Sequence, residues 1–307
     1  MGLLVHNPGV STTVQDLGRA GYRQWGVPPG GAFDRGAAAL ANALLGNPAG
    51  CAVLELTLVG GVYEAQTPLA LALAGAPMAA AIERAGQPAR ALEVPQSFSL
   101  GAGERLVLGG APVGARTYLA VRGGWQTPLL LGSRSREARL KAGTLLCAEP
   151  SQVPARRPAE ALWDPPGASP LGIIAGPDAG LAPALDKWAT AVFHVGRHAD
   201  RMGLRLEGPS LTVDSPPQRI SAPVAPGAVQ IAGGQAIVLG VACGTMGGYP
   251  HVAHVISADL DRVGQLRPGD SVRFRSVSLS EAWRLDRAAR QARLDRLRRL
   301  QAVAASG

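Results

Sequence analysis

The chain has 307 residues, 40 of them Gly and 25 Pro, with 47% hydrophobic and 17% charged residues. That is long enough for two cored domains and too apolar for disorder or a small stapled scaffold. The formal charge is +8, but 28 of the 30 basic residues are Arg, and seven lie within 284–299, where Glu281, Asp286 and Asp295 leave a local excess of +4; with no aromatics interleaved there, a solvated helix face is expected and no nucleic-acid surface.

The N-terminal residues lack a basic start followed by an apolar run, and the longest apolar stretch, 68–82, is broken by Gly75 and Pro77. No leader and no membrane span are expected. Cys51, Cys147 and Cys243 are far apart and form no CxxC, which argues against a disulfide framework and a thiolate zinc site and makes the cytoplasm the expected compartment. Asp34 is placed as the N-cap of a predicted helix over 35–45, with Gly46 just past its end and Pro48 beyond. Strands are predicted at 69–74, 105–108 and 117–121, separated by Gly and Pro turns, the texture of an all-β barrel or sandwich. Prolines at 150, 154, 158, 165, 166 and 170 mark a linker between a lobe at 1–155 and a second at 165–307. Further strands are predicted at 192–195, 236–241 and 271–275. Ser278 and Glu281 form a capping box ahead of a helix over 282–300, in which Leu285, Leu294, Leu297 and Leu300 recur at helical spacing and are expected to pack across the second lobe.

Several chemistries are missing. Neither Lys141 nor Lys187 ends a GxxxxGK[ST] loop, no GxGxxG opens a helix, and no GxSxG elbow occurs. The paired glycines 30–31, 123–124, 233–234 and 247–248 read as turns and bulges. His194 and His198 have the i, i+4 spacing of two metal ligands on a helix, but 192–195 reads as a strand running into a turn at Gly196. His251 and His254, three apart on a strand, would point to opposite faces, so no metal site is expected. Cys243 has no positioned base in view and reads as a small core or loop residue.

Three segments are dense in polar residues and glycine: 12–34, 200–208 and 226–250. Glycine admits close backbone approach to a ligand, while Arg, Gln and Thr supply directional donors for a carboxylate or amide. Turns cross-braced by buried pairs of Arg with carboxylate would give the same composition, and both readings stand.

The motifs TTVQDLGRAGYRQWGVPPGGAFD at 12–34, RTYLAVRGG at 116–124, GSRS at 132–135, DRMGLRLEG at 200–208, TMGGYP at 245–250 and ADLDRVGQLRPGDSVRF at 258–274 resemble the family variously called the 5-oxoprolinase C subunit, allophanate hydrolase subunit 2 and biotin-dependent carboxyltransferase domain. The resemblance implies a mostly β fold of two cyclophilin-like β-barrel lobes with a C-terminal helix. It implies a subunit of an ATP-dependent 5-oxoprolinase that opens 5-oxoproline to glutamate, acting with a companion related to the kinase-inhibitor protein and with a third subunit. The alternatives are a biotin-dependent carboxyltransferase component of urea carboxylase type and a regulatory antagonist of a histidine-kinase inhibitor. On this reading the chain alone binds no cofactor, ATP enters through a partner, and biotin belongs only to the transferase alternative; neither Lys is flanked by Met as in a biotin carrier.

A shared site for a small acid or amide is expected from Gln15, Asp16 and Arg19 in the first lobe with Arg201, Gln230, Thr245 and Tyr249 in the second. Gly233, Gly234, Gly247 and Gly248 would admit backbone there. Arg19 and Arg201 would hold a carboxylate, Gln230 and Thr245 would orient an amide, and Asp16 is the candidate proton acceptor. Two departures from the family pattern stand out. Ala242-Cys243-Gly244-Thr245 replaces a loop that often reads Asp-Arg-Gln-Thr, and 136–146 is shorter than the usual Gly-rich insert.

The lack of a phosphate-cradling loop gives a first prediction: calorimetric titration of the isolated chain with Mg-ATP should show no micromolar binding. Such binding to the chain alone would move the nucleotide site into it.

Overall fold

The computed structural model describes residues 1–158, 163, 167, 169–182, 188, 190–214 and 219–305. Pro165, Pro166 and Lys187 lie outside the described residues. The chain divides into two compact units: unit 1 holds Met1–Arg19, Gly30–Pro165 and Arg293–Gly307, and unit 2 holds Ala20–Pro29 and Pro166–Ala292.

Unit 1 contains β1 (Gly2–Asn7), β2 (Ser11–Gln15), α1 (Arg35–Ala43), β3 (Val53–Thr57), β4 (Val62–Ala65), β5 (Leu69–Gly75), β6 (Ala80–Glu83), β7 (Arg90–Leu92), β8 (Gln96–Leu100), β9 (Arg105–Leu108), β10 (Arg116–Val121) and β11 (Leu145–Cys147). They form a six-stranded sheet in the order β11-β1-β4-β9-β6-β7 and a five-stranded sheet in the order β2-β3-β10-β5-β8. The sequence of β5, Leu-Ala-Leu-Ala-Leu-Ala-Gly, shows how period-two alternation builds this unit. Leu69, Leu71 and Leu73 enter the main core with Phe98, Leu119 and Trp125. Ala70, Ala72 and Ala74 face the other way, against Ala37, Leu40, Ala41 and Leu44 around α1. Small residues on both surfaces let helix and sheet approach closely, and each fully buried Leu contributes ~1.5–3 kcal/mol.

The start of α1 is fixed from both sides. The Asp34 carboxylate accepts a hydrogen bond from Ala37 N at 2.8 Å, the N-cap read from the sequence, and Gly46 takes the left-handed φ of 72° that closes the helix. Beneath it, Glu55 and Tyr118 are fully buried and Arg116 nearly so. Glu55 Oε2 accepts from Phe33 N at 2.9 Å and from the Tyr118 hydroxyl at 2.9 Å, and that hydroxyl in turn accepts from Asp34 N at 2.8 Å. Arg116 Nε lies 3.4 Å from Glu55 Oε1, and its guanidinium sits over the Phe33 ring at 4.6 Å. Burial, followed by the Glu55 charge, pushes the Tyr118 phenol well above its ordinary pKa, so it remains a donor.

Unit 2 contains β12 (Leu171–Ala175), β13 (Phe193–Ala199), β14 (Gly203–Glu207), β15 (Ala222–Pro223), β16 (Ala228–Ala232), β17 (Gln235–Leu239), β18 (Met246–Gly247), β19 (His251–Val255), α2 (Leu260–Gln265), β20 (Ser271–Val272) and β21 (Phe274–Ser276). Eight of these strands form one sheet in the order β20-β13-β14-β17-β16-β19-β12-β21. The two edge strands are separated in sequence by Arg273 alone, so the edges lie within a residue or two of chain, under ~10 Å. An eight-stranded sheet meets that constraint only by rolling up, and this one is barrel-like. The run predicted as one strand over 271–275 is therefore two strands on opposite edges. Trp188, Phe193 and Phe274, with ring centroids 5.7 to 6.0 Å apart, fill its interior near that seam.

α3 (Leu279–Ala305) extends the predicted final helix at both ends. Glu281 N bonds to Ser278 Oγ at 3.2 Å, but the Glu281 carboxylate turns to Arg284, so only half of the capping box forms. Arg284, Arg290 and Arg298 pair with Glu281, Asp286 and Asp295 along the helix, which accounts for the basic tail as a solvated face. Ala282 is buried, whereas Leu300 packs against the α1 cluster of unit 1 and not on the second lobe as expected. The short helix α2 was not foreseen.

His251 and His254 correct a second expectation. Their rings meet, with Nδ1 of His254 3.3 Å from Nε2 of His251. The pairing of β16 with β19 skips Val252, since Val229 faces Ala253 while Gln230 faces His251. The bulge restores both histidines to one side of the strand. Asp178 accepts from His251 N at 2.8 Å and pairs with Arg219. Burial holds both imidazoles below their ordinary pKa, His254 at about 4, and the neighbouring His251 adds to that shift.

Two predictions come from these buried groups. Glu55→Ala should cost about 3–5 kcal/mol in urea unfolding, because it takes a buried carboxylate from beside Arg116 and leaves Phe33 N and the Tyr118 hydroxyl without their acceptor, and Tyr118→Phe about 1–3 kcal/mol. The unfolded chain protonates its histidines near pH 6.5 while folded His254 resists until about pH 4. Its contribution is therefore complete above pH 6.5 and is lost as pH falls toward 4, by roughly 2–3 kcal/mol. Urea midpoints measured over that window should flatten in His254→Asn, and an unchanged slope would contradict the assignment.

Candidate functional site

On the outer face of the unit 2 sheet, register aligns three side chains across adjacent strands. Arg205 on β14 faces Ile237 on β17, and Ile237 faces Gln230 on β16. Leu204 and Leu206 alternate inward, which sends Gly203, Arg205 and Glu207 outward. This row floors a cleft of about 480 Å³ with Arg197 and His198 from β13 at one side and Val224, Cys243 and Met246 at the other. Asp200 bonds the turn amides of Met202 at 2.7 Å and Gly203 at 3.2 Å, so its carboxylate holds the β13–β14 connection. The cleft combines two guanidiniums, an imidazole, an amide and the Asp200 carboxylate with apolar walls from Ile237, Leu239 and Met246, a composition with more cationic than anionic groups that suits a small acid carrying an apolar body.

Of the residues expected to bind ligand, Gln230 lies in this cleft. Its Nε2 donates to Tyr249 O at 3.0 Å, and a Cβ on Gly247 would come within 2.6 Å of the same nitrogen. Glycine at 247 is thus required for the amide to sit where it does. Thr245 and Tyr249 belong to the segment that covers Gln230. Thr245 O accepts from Val224 N at 3.0 Å, and the Tyr249 ring is half exposed. Gly233 and Gly234, both with positive φ, form the two-residue turn between β16 and β17. Arg201 is half-buried outside the cleft lining, its carbonyl accepting from Ala242 N, and Gly248 lies beyond β18. The Cys243 thiol, on the cleft wall, is pushed up by burial against a smaller opposing effect of Arg23, so it stays protonated at neutral pH.

Within unit 1, Gln15, Asp16 and Arg19 gather around the GSRS segment. Gln15 is fully buried: its Nε2 donates to Thr13 Oγ1 at 2.9 Å and Arg136 O at 2.7 Å, and its Oε1 accepts from the Ser135 hydroxyl. Asp16 accepts from Gly18 N at 2.7 Å, Ser133 Oγ at 2.7 Å and Arg134 N at 2.6 Å. Arg19 donates to Ser135 O at 2.5 Å. These groups brace the GSRS segment, and Asp16 also borders a smaller cleft of about 290 Å³ beside Cys51, Gly124 and Arg134.

Arg197 and Arg205 were not among the expected ligand residues, and His198 was weighed only as a metal ligand. For Arg205 the signal was present, since it lies in the 200–208 motif at a position that strand alternation turns outward; for Arg197 and His198 only the register reveals it.

The chain is 32% identical over 292 residues to the C subunit of 5-oxoprolinase from Escherichia coli, with 91% of this chain and 93% of the relative covered. Among solved structures, TTHA0988 superposes with a TM-score of 0.76 at 35% identity over 89% of this chain; the chain spans 56% of that protein. The Kluyveromyces lactis urea carboxylase superposes with a TM-score of 0.83 at 27% identity over 95% of this chain and 29% of that much longer one. The model of the carboxyltransferase domain, subdomains A and B, matches residues 25–276, and with the fold and these likenesses together the chain belongs to the carboxyltransferase domain family.

Proposed function

We propose that the chain is a subunit of an ATP-dependent 5-oxoprolinase and that the unit 2 cleft receives the substrate. The observation that carries this reading is the nearly end-to-end match to the 5-oxoprolinase C subunit; the urea carboxylase likeness covers only a part of a larger enzyme. ATP enters through a companion subunit, in keeping with a sequence that lacks a phosphate loop.

In the cleft, Arg205 and Arg197 hold the carboxylate of the small acid, the Gln230 carboxamide faces the lactam, and Ile237 and Leu239 cover the ring methylenes. Arg201, Thr245 and Tyr249 act behind this layer by holding the segments that carry Gln230. Because Gln15 and Asp16 are taken up by bonds within unit 1, their role is to brace their own loops, and the proton acceptor is assigned to a companion.

The test is to reconstitute the chain with its organism's companion subunits and follow ATP-dependent glutamate formation from 5-oxoproline. Arg205→Ala should raise KM about 10- to 100-fold, the equivalent of one lost charge-assisted hydrogen bond, and Tyr249→Phe should leave it nearly unchanged. An active mixture indifferent to Arg205→Ala would remove the cleft. An inactive mixture that instead transfers the carboxyl group of carboxybiotin to urea would establish the transferase reading.

A further inference from the structure

Unit 1 displays three consecutive leucines to solvent. Leu129 is 62% exposed, Leu130 52% and Leu131 40%, and Leu17, which is 48% exposed, leans on Gly50 at the same 290 Å³ cleft that Leu129 borders. An unconstrained loop would fold such side chains inward, but this one is pinned. Leu130 and Ser133 exchange backbone hydrogen bonds at 2.8 and 3.1 Å. Ser133 is fully buried and bonded to Asp16. Arg134 donates to Thr127 O and Gln126 Oε1, and Arg136 donates to Pro128 O at 2.8 Å. Leu131 is held at φ 53°, a left-handed conformation that costs a non-glycine residue ~1–3 kcal/mol.

The two arginines define what would cover the leucines. Both residues are half-buried, and among the described residues the bonds of their guanidiniums end on carbonyl or amide oxygens. Such acceptors satisfy the N–H groups but neutralise no charge. Asp16 meets Arg134 through the backbone amide, and its oxygens are already shared among three donors. The surface is therefore apolar at its centre and positive at its border, in a preorganised loop that loses little entropy on binding.

We propose that the 126–132 loop and the adjoining cleft are the docking surface for a companion protein subunit, which presents an apolar segment flanked by carboxylates that pair with Arg134 and Arg136. This rests on the reading of the chain as a subunit.

Titration calorimetry of the full chain against each purified companion subunit of its organism's 5-oxoprolinase tests the surface. Leu129→Ser combined with Leu130→Ser should weaken binding to one companion at least 10-fold with an unchanged melting temperature, since both side chains are exposed. Leu130→Lys should bind that companion at least 10-fold more tightly than Leu130→Asp at low salt, with the difference shrinking as salt is raised. Wild-type binding that the Ser pair does not weaken, or equal affinities of the Lys and Asp variants, overturns the docking surface while glutamate formation by the reconstituted mixture still upholds the subunit reading. Absence of wild-type binding to any companion overturns both. Self-association of the isolated chain that the Ser pair abolishes would instead assign the patch to a second copy.

Discussion

The organisation of unit 1 depends on one buried carboxylate. Glu55 lies on a central strand with no access to water, and such a group persists only where donors and a counter-charge surround it. Two donors come from the chain segment ahead of α1 and from β10 next door, and Arg116 supplies the charge. Because Phe33 N and Asp34 N are both consumed here, the path of residues 30–34 is fixed relative to the sheet. The N-cap of α1 follows from that path, and the alanine face of β5 then receives the helix. The dense polar segment at 12–34 thus has two halves with different work: its C-terminal part docks a helix, and its N-terminal part braces the GSRS segment.

Unit 2 is governed by connectivity more than by any single bond. A one-residue link between the edge strands rolls the sheet, and the rolled sheet sends alternate residues of β14, β16 and β17 to an outer face. Segment 243–249 then lies across that face. The glycine at 247 sets how closely it can lie over Gln230, and the bulge at Val252 sets where the strand after it resumes. The cleft is the space left between the covering segment and the sheet.

The elements most legible in the sequence were those with local signals. β5 and β9 are strict alternations or short apolar runs between turns, and the start of α1 carries a cap, so each could be read within a window of ten residues. Residues 271–275 could not, because Arg273 separates two strands whose partners are distant in sequence, and no local pattern records which edge a strand joins. The histidine pair failed for a related reason: period two assumes an unbroken ladder, and the bulge at Val252 exists only in the pairing with β16. Among the residues lining the cleft, Gln230 stood out in the sequence through the polar segment around it. Arg197 lay outside the reading because a charged residue on a strand looks the same whether it faces solvent or a cleft, until a covering segment is placed opposite.

The departure at 242–244 acquires a physical meaning in this setting. Cys243 and Gly244 line the cleft, so small side chains stand where family members often carry a guanidinium and an amide, while Ala242, at the carboxylate position, is outside the lining. With those groups gone, the charged groups of the lining are Arg197 and Arg205 together with Asp200, whose carboxylate also accepts from the turn amides of Met202 and Gly203. The substitution therefore removes a guanidinium and an amide from that wall and leaves room beside Arg197 and Arg205, on which the positive charge of the lining then rests.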